Sequence, residues 1–102
     1  MDSFQIIITS RAQSDLSECV SFALNVSKEA AFKLADDIYS AIESLSLYPE
    51  RYPVFEMPKS SPYLVRKLVI NKRYVALYCI EENKVVVHRF LDSRRDFDYL
   101  VS

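Results

Sequence analysis

The sequence contains no glycine at all and a single histidine, His88. Without glycine the backbone cannot make the close wrap round a phosphate that nucleotide-binding loops require, so the glycine-rich motifs are excluded. With one histidine, set in an apolar strand-like run beside Val86 and Phe90, no Ser/His/Asp or Cys/His arrangement is supported, and His88 reads as a packing or surface residue. The two cysteines, Cys19 and Cys79, lie far apart inside apolar patterns with no Cys-x-x-Cys spacing. They are expected to be small, reduced, buried side chains; no metal site and no cofactor are expected. No apolar run is long enough to span a bilayer, and Met1-Asp2-Ser3-Phe4 carries an acid where a signal peptide has basic residues. The expectation is therefore a cytoplasmic protein with no membrane partner.

What is present fits one domain over residues 1–102, half hydrophobic and about a quarter charged. The net charge of −1 conceals a polarity. Residues 1–58 hold 4 Lys/Arg against 9 Asp/Glu, and residues 59–102 hold 9 against 5. Either one face is built to meet something anionic, or the charges are scattered over a solvated surface. The adjacent pair Asp36-Asp37 lies amid core positions of a helical run and reads as solvated helix surface rather than a metal-binding or acid–base pair.

Phe4 to Ile8 is a short β-branched run that reads as a strand. Ser10 is a plausible helix cap, and Ala12, Leu16, Cys19, Val20 and Ala23 recur at helical spacing. After an Asn25-Val26 link, Ser27 caps a second helix carrying Ala31, Leu34, Ala35, Ile38, Ile42 and Leu45, with Glu29 in its first turn. Four prolines between Pro49 and Pro62 mark a long connection. The period then becomes two: Tyr63–Ile70, Arg73–Ile80 and Lys84–Leu91 read as strands, separated by Asn71-Lys72 and Glu81-Glu82-Asn83. The expected architecture is α+β in the order β-α-α-β-β-β, an antiparallel sheet with a helical hairpin on one face and the other face open.

Cations and tyrosines are the remaining candidates for function. Alternation sets Arg66 in a row with Leu64, Leu68 and Ile70, and Arg89 in a row with Val85, Val87 and Leu91. An arginine in such a row must reach an anion or the edge. Two readings follow: a site for RNA phosphate or an acidic peptide, or a structural salt bridge to an acid of the helical hairpin.

Four stretches together resemble the RelE/ParE superfamily of toxins. These are Thr9-Ser10-Arg11-Ala12-Gln13-Ser14-Asp15-Leu16, the helix exit Ile38/Ile42/Leu45/Pro49, the pair Val65-Arg66-Lys67-Leu68-Val69 and Tyr74-Val75-Ala76-Leu77-Tyr78, and the tail from Val85 to Asp96 ending in Asp92-Ser93-Arg94-Arg95-Asp96. The resemblance implies the toxin of a bacterial type II toxin–antitoxin pair, of the sort known for plasmid stabilisation, with a cognate antitoxin as partner. One branch, ParE-like, poisons DNA gyrase by protein contact. The other, RelE-like, is a metal-independent mRNA interferase that cuts mRNA on the ribosome. For the nuclease branch the resemblance assigns Arg66, Arg95 and Tyr99 as catalytic. Lys67, Arg73, Arg89 and Arg94 are the cations expected to bind RNA or another target. The chain departs from that branch at two positions. Val75 stands where an arginine is usual, and Asp92 replaces the tail histidine that would act as general base. An isoelectric point near 5.8 is also low for a ribosome-directed protein. The ParE-like branch is favoured, with the ribonuclease as its alternative and a non-toxic, antitoxin-binding relative as the second. Whether Arg66 and Arg95 converge depends on strand order, which periodicity does not supply.

Overall fold

A computed structural model describes residues 3–55 and 64–96. The elements are β1 (Gln5–Ile8), α1 (Ser10–Leu24), α2 (Lys28–Glu43), β2 (Arg66–Ile70), β3 (Tyr74–Glu81) and β4 (Lys84–Asp92), with short 3₁₀ turns at Ser44–Ser46 and Pro49–Arg51. The chain is α+β in the order expected. Tyr63, expected to begin the second strand, lies outside the described residues.

Side-chain chemistry sets the helix boundaries. Thr9, rather than Ser10, caps α1: its hydroxyl accepts from the Ala12 amide at 3.1 Å and donates to the His88 carbonyl at 3.2 Å. Ser27 caps α2 by accepting from Ala30 at 2.9 Å, and Glu29 sits in the first turn where its charge suits the helix dipole. At the far end of α2, Arg51 donates to the carbonyls of Leu47 and Ser44 and so supplies the cation that the last helical turn lacks. Tyr78 closes this corner from below, its buried hydroxyl donating to the Pro49 carbonyl at 2.6 Å.

The sheet order is β1-β4-β3-β2. Two neighbouring pairs are antiparallel as expected, but β1 runs parallel to β4, so the sheet is mixed rather than wholly antiparallel. The reason is topological. A helical hairpin carries the chain along the sheet and back, so the strand before it lies alongside the last strand in the same direction. One face of the sheet packs under the helices around Ile38, Leu45, Tyr78, Val85, Val87 and Phe90. The other face is not open. Val75, Leu77 and Leu91 are buried there, with Phe55 and Val65 packed against them. The segment at 53–55 returns along the outer edge of β2, where Phe55 N–H donates to Val65 O and Lys67 N–H to Pro53 O.

The strand alternation also breaks once. Between Leu77 and Tyr78 the β3–β4 register shifts: Tyr78 faces Val87 while Leu77 faces Arg89, leaving His88 as an extra residue. This β-bulge reverses the phase of β4. Phe90, expected opposite Val85 and Val87, lies with them in the helix-side core, and Leu91 turns to the other cluster.

Turns without glycine leave four of the described residues at positive φ: Tyr48, Asn71, Lys72 and Glu82. Asn71 and Lys72 are central to a turn closed by Arg73 N–H to Ile70 O, and Asn71 is further held by its amide on Asp37 at 2.9 Å. Lys72 has only the steric cost of a Cβ in the left-handed region. Replacing Lys72 by glycine is expected to stabilise the fold by about 0.5–1 kcal/mol, the Asn-Gly pair being the favoured one for such a turn. Thermal unfolding of the two proteins side by side decides it, and a lower midpoint for Lys72→Gly would refute it.

Candidate functional site

A groove of about 750 Å³ lies between the tip of the helical hairpin and the end of the sheet. Phe22, Ala23 and Val26 form one lip, Ala30, Lys33, Leu34 and Asp37 of α2 the wall, and Asn71, Arg73, Tyr74, Asp92, Arg94 and Arg95 the floor and far lip. Its size falls within the range of side-chain and small-ligand clefts. Its apolar part is solvent-facing at the rim, where Phe22 is 55% and Val26 81% exposed.

Two carboxylates shape the basic side. Asp92 accepts from the Arg73 guanidinium through Nε at 3.2 Å and Nη2 at 2.9 Å, and from the Arg94 amide at 2.9 Å. Asp96 accepts from the Asp92 amide at 2.9 Å and returns its own amide to the Asp92 carbonyl. The turn is thereby closed on itself and tied to the start of β3 through Ser93 N–H to Arg73 O, which presents Arg94 and Arg95 outward. Arg95 pairs with Glu18 at 3.0 Å and Asp96 at 3.5 Å, and stacks over the Phe22 ring at 5.3 Å. The Arg94 side chain is exposed and makes no ion pair among the described residues.

Burial opposes ionisation of Asp92, but the Arg73 guanidinium and the backbone amides of Arg94 and Arg95 outweigh it and hold the carboxyl below the usual carboxylate range. Because its folded value is depressed, the ionised form is worth stability above the ordinary value of 3.8, and that contribution disappears as pH falls through the folded value. Asp92→Asn is therefore expected to lower the melting temperature at neutral pH and to flatten the acid side of the stability profile. A profile parallel to the parent's between neutral pH and about pH 2.5 would count against this. Cys19 lies 4.0 Å from Arg95, yet burial pushes its thiol up to about 11 against the pull of that arginine, which keeps it a core side chain rather than a nucleophile.

The other expected residues lie elsewhere. Arg66 donates to the carbonyls of Glu50 at 3.0 Å and Tyr52 at 2.7 Å, so it braces the proline-rich connection. It faces Tyr78, whereas Asp92 faces Tyr74, a separation of four residues or about 13 Å along β3. Arg66 thus lies opposite the middle of β3, while Arg95 lies in the turn beyond the end of β4. Arg89 pairs with Asp15 of α1 at 2.9 Å, the structural salt bridge to the hairpin that was one of its two readings. Asp15 also accepts from the Phe90 amide at 3.0 Å, beyond the point where β1 ends, and so satisfies a strand edge that has lost its neighbour. Lys67 is half-buried on the face away from the helices, and Tyr99 lies outside the described residues. Arg73, Arg94 and Arg95 are the three the structure brings together.

From the sequence, Phe22 receives no role, Val26 reads as part of the interhelical link, Asn71 as a turn residue and Asp37 as solvated helix surface. Phe22 had a signal: a large aromatic off the apolar stripe of its own helix has no core to enter. Asp37 and Asn71 meet across 34 residues, and nothing local announces such a pair. Among the described residues no cluster of His, Cys, Asp and Glu gathers as a metal site would require, and no helix is long and apolar enough to cross a membrane.

Comparison with known proteins places the whole arrangement. A family described as "ParE toxin of type II toxin-antitoxin system, parDE" matches residues 6–97. Eleven chains of known structure match the fold. One, described as "Chromosomal ParDE TA system from P. aeruginosa", superposes with a TM-score of 0.71 at 18% identity, covering 88% of this chain and 96% of the other. No curated protein gives a significant match.

Proposed function

Since the chain belongs to the ParE toxin family of type II toxin–antitoxin systems, we propose that it acts in the cytoplasm by binding DNA gyrase and is neutralised by a cognate antitoxin. The target comes from the family; the chemistry of this chain supports contact rather than cleavage. The observation that carries the reading is the state of Asp92. It occupies the place where the nuclease branch has its histidine, it is saturated by Arg73 and the Arg94 amide, and it is held ionised. A carboxylate so engaged is a poor proton acceptor, and its charge opposes a phosphodiester. Arg66, the other cation that cleavage would need, is about 13 Å away along the sheet and occupied with loop carbonyls.

Two measurements test this. In cells induced for the protein, pulse labelling is expected to show DNA synthesis failing before translation. In a supercoiling assay, the purified chain is expected to inhibit gyrase and to lose that effect when premixed with the product of the adjacent reading frame. Early loss of translation with cleaved mRNA would overturn the proposal in favour of ribonuclease. Unimpaired growth with soluble, folded protein would mean that toxicity has been lost.

A further inference from the structure

Three features stand apart from the site just described: the outer stripe of α2, the left-handed Tyr48 beside Pro49, and β1 at the edge of the sheet. Only the stripe carries its own indication of what covers it. Lys28, Phe32, Asp36, Tyr39 and Glu43 follow one another at spacings of three and four, so they share one side of the helix, and all are exposed, Phe32 to 73% and Tyr39 to 50%. The stripe is separate from the groove, since Lys33, Leu34 and Asp37 on the groove wall lie about 100° or more round the axis from Phe32. Two properties set it apart from an ordinary solvated surface. Its pattern is complementary to itself when reversed. Phe32 and Tyr39 each stand three residues from the midpoint pair Ala35-Asp36, and Lys28 and Glu43 each stand seven from it. Its charges also sit at the wrong ends of their own helix. Lys28 is in the first turn, where the dipole disfavours a cation, and Glu43 is in the last, where it disfavours an anion. Neither makes an ion pair among the described residues.

We infer that the outer stripe of α2 is a homodimer interface, laid antiparallel on α2 of a second copy of this chain about a two-fold axis at Ala35-Asp36. In that arrangement Phe32 of each copy meets Tyr39 of the other, and Lys28 of each meets Glu43 of the other, every contact occurring twice. The aromatic pairs leave water together. Each misplaced charge comes to lie beside the opposite end of the neighbouring helix, where its sign suits the dipole. Ala35 is small and stands where the axes come closest. An unrelated partner would need a stripe complementary to its own surface, not one complementary to itself, and this is what commits the face to a second copy. One contact opposes association: Asp36 lies at the rim and faces its own copy across the axis. A single pair of 16-residue helices is also a small interface beside the about 1,600 Å² of a standard complex, so the dimer forms at high micromolar rather than nanomolar concentration. The groove remains open in it. The inference does not rest on the toxin–antitoxin reading.

Sedimentation equilibrium of the full chain tests it. The mass is expected to rise from 11.9 kDa toward twice that value between about 10 μM and 1 mM. Lys28→Glu and Glu43→Lys, each alone, are expected to weaken the dimer about tenfold, because both charge pairs become repulsive. An equal mixture of the two variants is expected to regain the parent's affinity, since each mixed dimer holds two pairs of opposite charge. Both substitutions suit the dipole of their own helix, so the monomers stay folded, which circular dichroism verifies. Phe32→Asp is expected to abolish the dimer, and Asp36→Asn to tighten it a few-fold by removing the repulsion at the axis. A mass that stays at 11.9 kDa up to about 1 mM would overturn the inference. So would a dimer untouched by Phe32→Asp, which uses another face, or a mixture no tighter than its components, which rules out the antiparallel register. If the parent does not self-associate but binds the product of the adjacent reading frame through a contact that Phe32→Asp abolishes, the face belongs to that partner and the dimer is refuted.

Discussion

Asp15→Ala is expected to remove about 3–5 kcal/mol of folding stability, read as a lower urea midpoint with an unchanged slope. Asp15 is a buried acid on a helix that otherwise packs apolar side chains against β4. Its carboxylate neutralises Arg89, whose side chain is only 23% exposed, and accepts the Phe90 amide. Alanine leaves a largely buried guanidinium without this counter-charge and a buried N–H without an acceptor, and the two costs reinforce each other. Against a total stability of about 5–15 kcal/mol for a domain of this size, the variant sits near the edge of folding. Combining it with Arg89→Met should recover a good part of the loss, because the guanidinium that lost its counter-charge is then removed. A loss below about 1 kcal/mol for Asp15→Ala alone would class the pair with ordinary surface bridges.

The second large effect tests the phase of β4. Phe90 is fully buried and stacks on Tyr74 with ring centroids 5.7 Å apart and planes 15° from parallel. Phe90→Ala is expected to cost about 3–5 kcal/mol, the transfer of the ring plus the cavity it leaves. Without the bulge at His88, strict alternation would turn Phe90 away from Val85 and Val87, and truncation would cost far less. The contrast with His88→Ala is direct: His88 is the extra residue of the bulge, and its truncation should stay within about 1 kcal/mol. A small effect at Phe90 in the same denaturation experiment would mean that the bulge does not set the packing of the strand.

These two residues show where the sequence was readable. The order of elements, the two helical stripes and the hairpin at Asn71-Lys72 follow from periods of 3.6 and 2 and from turn chemistry, all of them local. Ala12, Leu16, Cys19, Leu34, Ile38 and Ile42 are buried as their spacing implied. The parallel pairing of β1 with β4 was not readable, because no local pattern records which strand lies beside which. The bulge was also hidden, since one extra residue leaves no mark in composition yet exchanges the places of Phe90 and Leu91. Of the candidate cations, Arg89 and Arg66 interrupt apolar rows for structural reasons, as partners of Asp15 and of loop carbonyls. The tail resemblance did mark Arg94 and Arg95, because their position beside Asp92 is a local property of the turn they share.

The parallel pair has a further consequence for the order in which the molecule is built. β1 is made first, but its neighbour β4 begins at Lys84, facing Gln5 across most of the chain. Until residues 84–92 have been synthesised, Ile6, Ile7 and Ile8 have no strand to join, while the two helices, adjacent in the chain, can already meet each other. The hairpin therefore condenses early, and closure of the sheet waits for the longest loop in the structure, which makes that step the slow one. A nascent toxin is consequently without its finished sheet, and without the Arg73–Asp92 end of the groove, until its final strand arrives.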